Sequence, residues 1–323
     1  MGCNTSKDIA VGFVLFNPGK SKRIVMNYLY VKNIMEKQGI PTFTLELILE
    51  NSIPEVAEDK NVFHVHGNSV MFHKERLCRI LETKIPQIYT KLVFCDADII
   101  FRNKDWYTEL SKLLDNHDVV HPFTEGIWKD LTYKQEIVKR KTSLLSKGDF
   151  IDPVFHPGFV WAFRREWYNS VGFFDYAITG SGDTLSCAAW MGRKFPESSR
   201  SYPKKALREK YETYLEKIRK NKPRLTYMEG VVEHLWHGSR ENRKYVDRHR
   251  LIENINGVDS ILKINEDGVF EFKDEVYELW NPLFTKYFEE RKDDDLSPTE
   301  SVVTTPLEIP CVSKISLNEI SMT

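Results

Sequence analysis

Apolar and polar positions alternate between two periods over the first part of the chain. DIAVGFVLF is a β-rich run, SKRIVMNYLYVKNIMEKQG spaces its apolar residues at helical intervals and stops at Gly39, and TFTLELIL returns to a strand pattern. A short strand NVFHVH, a helix through KERLCRILETKIP, the strand KLVFCDADIIF, a helix WYTELSKLLDN and a strand DVVHPF continue the series. Strands and helices in turn predict an α/β protein whose mostly parallel sheet is flanked by helices. In such sheets ligands sit beyond the carboxyl ends of the strands.

From about Glu125 the pattern loosens into aromatic and glycine-bearing segments: HPGFVWAFRREWY, VGFFDYAITGSGDTLSCAAW and EHLWHGSRENRKYVDRHR. Between the last two, PKKALREKYETYLEKIRKN is charged nearly throughout and reads as a solvated helix with i,i+4 pairs rather than an acceptor-binding element. DSILKINEDGVFEFKD reads as a hairpin turning at Asp267 and Gly268, and VYELWNPLFTKYFEER as a closing helix interrupted at Pro282. Beyond Arg291 the chain turns acidic and then rich in Ser, Thr and Pro. The expected layout is an arm over 1–8, a body over 9–291 and a disordered tail over 292–323.

Charge narrows the function. With 46 basic and 47 acidic residues the net charge is −1, so no global field draws the chain to nucleic acid, and any polyanion site must be local. The five cysteines form no C-x-x-C pair, and Cys78, Cys95 and Cys187 lie among apolar residues, which predicts free thiols in a reducing compartment. No apolar run approaches the ~18 residues of a membrane span, and the start lacks the layout of a signal peptide. MGCNTSK does match the N-myristoylation pattern, with Gly2 as acceptor, Ser6 at the hydroxyl position and Cys3 placed for palmitoylation. The expectation is a cytoplasmic protein held to the cytosolic face of a membrane by two acyl chains.

Two aspartates, Asp96 and Asp98, interrupt an otherwise apolar strand. Where the chain turns at a strand end, a D-x-D pair can reach one divalent cation; the alternative is that each acid caps a turn or pairs with a lysine. HLWHG supplies His234 and His237 as further ligand candidates, and imidazole with carboxylate favours Mn²⁺ over Mg²⁺. ITGSGD places Asp183 after two glycines, either pointing into a cleft or capping a helix that starts near Thr184. Lys74, Arg76 and Arg23 are candidates for phosphate contact, or equally exposed helix and loop residues. Trp161 and Trp236 either stack on sugar faces or pack the core.

In their order these segments resemble the GT-A glycosyltransferases, the nucleotide-sugar-dependent group related to glycosyltransferase family two and to the galactosyltransferases. The resemblance runs from about Ile9 to Arg291 through KER at Lys74, DADI at Asp96, HPGFVWAFRR at His156, GSGD at Gly180, HLWHGSRENRKYVDR at His234 and YFEER at Tyr287. It implies a Rossmann-like GT-A fold with a nucleotide-sugar half over about 9–124 and a smaller acceptor half over about 125–291. It further implies that Asp96 and Asp98 face the cation and the diphosphate, that His237 is the downstream metal ligand with His234 as second choice, and that Asp183 is the catalytic base. Gly182 stands where many relatives carry a glutamate, which touches an acceptor contact. The Q-x-x-R-W motif of processive family-two synthases is missing, so a single transfer is expected.

The activity implied is metal-dependent, inverting transfer from a nucleoside-diphosphate sugar to a hydroxyl acceptor, which is a glycan, a protein or a small molecule. Two other classes stay open. A nucleotidyltransferase would want a glycine-rich basic loop after the first strand, where FNPGKSKR offers Gly19, Lys20, Lys22 and Arg23. A lipid-anchored nucleotide-sugar-binding module without turnover would keep the fold alone.

Overall fold

The computed structural model describes residues 8–50, 52–147, 154–195, 202–245 and 247–294. Gly2, Cys3 and Ser6, and most of the expected tail, lie outside the described residues. In chain order the elements are β1 (Ile9–Leu15), α1 (Lys22–Lys37), β2 (Thr42–Leu49), β3 (Val62–Gly67), α2 (Lys74–Lys84), β4 (Lys91–Cys95), β5 (Ile99–Phe101) and α3 (Trp106–Leu114). Then come β6 (Val119–His121), β7 (Glu125–Lys129), β8 (Glu136–Thr142), β9 (Phe155–His156), β10 (Val160–Arg164), α4 (Arg165–Ser170), α5 (Gly182–Trp190) and α6 (Lys204–Lys220). β11 (Leu225–Tyr227), β12 (Val231–His234), β13 (Leu262–Ile264), β14 (Phe270–Phe272) and α7 (Asp274–Glu290) complete the set.

The main sheet has seven strands in the order β11-β6-β10-β4-β1-β2-β3. β3, β2, β1 and β4 run parallel, and β10 enters antiparallel between β4 and β6. Period-2 geometry sends alternate residues of β1 to opposite faces. Ala10 joins the core under α2, α5 and α6, while Ile9, Val11 and Phe13 join the one under α1 and α3. Because both faces are covered, the parallel strands read as continuous apolar runs. Cys78, Cys95 and Cys187 are buried and free, and burial pushes their thiols up, so they pack as small hydrophobes.

A second sheet, β5-β12-β7-β8-β9, stands beside the first. Since β10 and β11 complete the main sheet, residue 124 is not a line of division: segments from both expected halves are hydrogen-bonded neighbours. Three other expectations change. α6 is no solvated rod, because Leu207, Tyr211, Tyr214, Leu215 and Ile218 recur at helical spacing and bury one face. α7 runs through Pro282, where one intrahelical bond is lost, and the buried Phe284, Tyr287 and Phe288 hold the following turns against the core. The tail starts ordered, at Lys292, Asp293 and Asp294. The hairpin forms as expected between β13 and β14, with Gly268 at φ +81°.

Among the described residues, no helix is long and apolar enough to cross a membrane.

Arg165, at the end of HPGFVWAFRR, fixes α2 from its C-terminal end. Its guanidinium pairs with Glu82 at 2.6 Å and donates to the carbonyls of Glu82, Ile85, Pro86 and Tyr89 at 2.6, 2.8, 2.8 and 3.2 Å. The last carbonyls of a helix have no intrahelical partner, so one buried planar cation satisfies several at once. Arg165→Ala should cost about 3–5 kcal/mol in urea unfolding, because Glu82 is left buried and uncompensated. A loss below about 1 kcal/mol would show that the pair is dispensable.

Candidate active site

β4 is buried along its whole length and ends at Cys95, after which the chain crosses from the main sheet to the second sheet over Asp96, Ala97 and Asp98. Both sheets pin this turn. The amide of Asp96 donates to Phe159 O at 2.7 Å, and the amide of Leu235 donates to Asp98 O at 2.9 Å. The bend sends the two carboxylates to different neighbours. Asp96 Oδ1 meets Lys74 Nζ, from the start of α2, at 2.5 Å. Asp98 Oδ2 lies 2.8 Å from His237 Nε2 and 3.5 Å from His234 Nε2, at the end of β12.

The expected four-ligand set therefore divides: Asp98, His234 and His237 converge, with ligand atoms within 4.8 Å of one another, while Asp96 is engaged by Lys74. The two imidazole Nε2 atoms are 3.2 Å apart. Separations near 3 Å are what a single divalent ion with bonds of about 2.1 Å imposes on adjacent ligands. Asp98 Oδ1 and His234 Nδ1 are also buried without a partner among the described residues, so the cluster fits a cation. Burial pushes His234 down to about 3, against the pull of Asp98, and keeps its imidazole neutral as a ligand must be. Burial alone would raise Asp98, but His234, His237 and Arg243 hold its carboxyl below the ordinary value.

His237 is braced from behind. Arg243 donates to His237 O at 2.7 Å and reaches Nδ1 at 2.5 Å and Asp293 at 3.2 Å, and Arg291 holds the same Asp293 oxygen at 3.1 Å. Asp294 then accepts from Ser21 Oγ at 2.6 Å and from the amides of Lys22 and Arg23 at 3.0 and 2.8 Å, at the start of α1. These two acids were expected in a disordered tail. They are ordered because Asp293 neutralises the buried Arg291 and the half-buried Arg243, and Asp294 takes up free amides of a helix N-terminus.

Asp183 lies inside the first turn of α5, which starts at Gly182, so it does not cap the helix, and its two oxygens have separate neighbours. Ser181, at φ +71°, turns the chain into α5; Asp183 Oδ1 then accepts from the Thr184 amide at 2.6 Å, while Oδ2 turns to Gly158. A Cβ at Gly158 would stand 2.4 Å from that oxygen and 2.9 Å from His156 Nε2, so only glycine leaves the carboxylate its place.

One cavity of about 460 Å³ joins these groups, with Lys74, Asp96, Asp98, Asp183, His234 and His237 on its wall. Arg76 and Arg23 are not there. Arg76 donates to Gly268 O at 2.6 Å and to Asp175 at 3.2 Å under the β13–β14 hairpin, and Arg23 reaches Tyr133 Oη at 3.2 Å. Trp161 stacks on His121 with centroids 3.9 Å apart inside the core, and Trp236 is buried too. The tryptophan that does reach the wall is Trp128, with the guanidiniums of Arg140 and Arg240 each 5.5 Å from its ring. Arg243, Arg248 and Arg291 also line the cavity and were not singled out. Their concentration in and after HLWHGSRENRKYVDR was a visible signal, but short 3-10 turns there give no period from which to choose the inward ones.

Burial pushes Glu75 up to about 7 and Asp96 up to about 6, with Lys74 opposing both. Folded values above the unfolded ones mean that both acids oppose folding, not at all below about pH 4 and fully above about pH 7. Glu75→Gln should thus raise the Tm of the metal-free protein more at about pH 8 than at about pH 5. Equal changes at the two pH values would mean that Glu75 is ionised without penalty.

No protein-family model matches the chain, and no curated protein sequence matches it. Solved structures do show a likeness. A mutant of Drosophila β1,4-galactosyltransferase 7 in complex with manganese, UDP-galactose and xylobiose is 11% identical, with 85% of this chain and 98% of that one covered at a TM-score of 0.41. Mannosyl-3-phosphoglycerate synthase from Rubrobacter xylanophilus is 11% identical over 84% and 88% at 0.39. Glucosyl-3-phosphoglycerate synthase from Mycobacterium tuberculosis, with Mn²⁺, UDP-glucose and phosphoglyceric acid, is 11% identical over 77% and 79% at 0.37. A mostly parallel seven-stranded sheet with helices on both faces meets the expectation of a Rossmann-like α/β fold.

Proposed function

We propose that this protein is a divalent-metal-dependent glycosyltransferase that moves one sugar from a nucleoside-diphosphate sugar to a hydroxyl acceptor with inversion. The observation that carries the reading is that the Asp98–His234–His237 cluster and the carboxylate of Asp183 share one cavity large enough for a small molecule. Both lie beyond the carboxyl end of β4, where open α/β sheets take ligands. Mn²⁺ suits a donor set of two imidazoles and one carboxylate, and when bound it would neutralise charge gathering on the departing diphosphate.

The chain's own residues supply the rest. Arg243 and Arg291 face the cavity beside the cluster, with one carboxylate, Asp293, between them, so positive charge remains for phosphate oxygens. Lys74, held by Asp96, adds an ammonium whose protonation is secured: burial would lower it, but Asp96, Asp183 and Glu75 raise it above the ordinary value. In the transfer, the acceptor oxygen forms a bond to the anomeric carbon as the carbon–phosphate-oxygen bond breaks. The proton passes to Asp183 Oδ2, and the electron pair leaves with the nucleoside diphosphate.

The loop after β1 argues against nucleotidyl transfer. It gives the cavity Phe16, Asn17, Pro18 and Gly19, whereas Lys20, Lys22 and Arg23 stay off the wall. Two assays with Mn²⁺ decide between them: release of nucleoside diphosphate from a panel of nucleoside-diphosphate sugars supports glycosyl transfer, whereas pyrophosphate release from nucleoside triphosphates with sugar 1-phosphates, and no nucleoside diphosphate from the panel, rejects it.

Asp98→Ala should abolish the Mn²⁺-dependent rise in Tm given by a nucleoside diphosphate, with the fold retained, since one ligand of a small set is gone. An unchanged Mn²⁺ dependence would reject the metal assignment. Asp183→Asn keeps the Oδ1 contact with Thr184 and removes the proton acceptor, so turnover should fall about 10²-fold or more at similar donor affinity. Turnover within about twofold of wild type would leave Asp183 a first-turn residue of α5 with no part in the transfer.

A further inference from the structure

Glu75 is an acid on the cavity wall to which the transfer scheme gives no direct part. It lies in the first turn of α2 and is 5% exposed. Among the described residues its carboxylate takes a hydrogen bond from its own backbone amide alone. A buried carboxylate is acceptor-only when ionised, and leaving it short of donors is costly. Stability alone gives no reason to keep it.

Two glycines make the room. A Cβ at Gly182 would stand 2.3 Å from Glu75 Cδ and 2.5 and 2.6 Å from its oxygens, and a Cβ at Gly158 would stand 2.4 Å from Asp183 Oδ2. The carboxylate of Glu75 therefore rests on the backbone of residue 182, one position from Asp183. The start of α5 carries one acid and receives the other from α2.

We propose that Glu75 and Asp183 form a paired-carboxylate subsite for two neighbouring hydroxyl groups of the acceptor, and hence that the acceptor is a carbohydrate or another polyol bearing a vicinal diol. The inference rests on the glycosyl-transfer reading and deepens it. Of the two hydroxyls, one gives its proton to Asp183 and attacks; the other keeps its proton and shares it with Glu75, which undergoes no covalent change. A lone serine or tyrosine hydroxyl would engage Asp183 and leave Glu75 without a donor. Glu75 is thus a positioning residue.

Wild type, Glu75→Gln, Glu75→Ala and Gly182→Ala should be assayed for nucleoside-diphosphate release with Mn²⁺ and the best donor of the panel. The acceptor probes are methyl glycosides, which carry vicinal diols, and simple primary alcohols, which do not. Methyl glycosides should stimulate wild type and primary alcohols should not. The acceptor KM should rise about 10-fold or more in Glu75→Ala, less in Glu75→Gln, which keeps an amide oxygen, while the donor KM stays within about threefold. Gly182→Ala tests the geometry independently, because its methyl group displaces Glu75 without removing it, and it should raise the same KM. Wild-type acceptor KM in all three variants overturns the inference, as does an equal rise in donor and acceptor KM, the mark of a merely structural role. Primary alcohols matching the glycosides overturn the polyol class. A wild type that releases no nucleoside diphosphate from any donor overturns the glycosyl-transfer reading and this inference with it.

Discussion

A charge buried where two sheets meet is the constraint on which the site depends. Asp98 leaves the main sheet and lands beside the last residue of β12, and the backbone bond from Leu235 fixes it there. Its carboxylate is tolerable in that place only because His234, His237 and Arg243 answer it. Arg243 in turn needs Asp293, and Asp293 needs Arg291. A chain of alternating charges thus runs from the strand turn to the residues after the last helix. Each member is paired by the next, so removing one leaves a neighbour uncompensated.

The same economy explains why the cavity wall carries so many opposed charges at close quarters. Lys74 with Asp96, and Arg291 with Asp293, cancel locally, whereas Glu75 and the Nε atoms of Arg248 and Arg291 retain unmet hydrogen-bonding capacity. A wall built only for stability would replace such groups by apolar ones of similar size. Their presence marks where stability has been given up for preorganised contacts.

The part of the fold that period and punctuation could reveal was legible in the sequence: the alternation of β1, α1, β2, β3, α2 and β4, the hairpin at Gly268, and the acids at a strand end. Asp98, His234, His237 and Asp183 do share a cavity. What failed was phase and distance. Lys74, Glu75 and Arg76 are consecutive on a helix, about 100° apart, so they cannot all face one cavity; Arg76 points to the hairpin instead. Which of them faces inward depends on where α2 packs, and the sequence does not encode that locally. Asp293 and Asp294 looked like the start of a solvated tail because their partners are remote: Ser21 is 273 positions from Asp294. Pro282 was overweighted for a similar reason, since packing of Phe284 and Phe288 outweighs a single lost bond.

The carboxylates of Asp293 and Asp294 also set the order in which the molecule can be completed. One braces His237 in the Asp98–His234–His237 cluster, and the other closes the first turn of α1, the earliest helix. A ribosome delivers the β1-to-β4 framework early, and such a framework can begin to form as it emerges. The amides at the start of α1 nevertheless wait for Asp294, 272 positions after Lys22, and Arg243 behind His237 waits for Asp293, 50 positions on. During synthesis the nascent protein therefore holds its scaffold before it holds a finished cavity wall, which is completed only when the strand-and-helix body is whole.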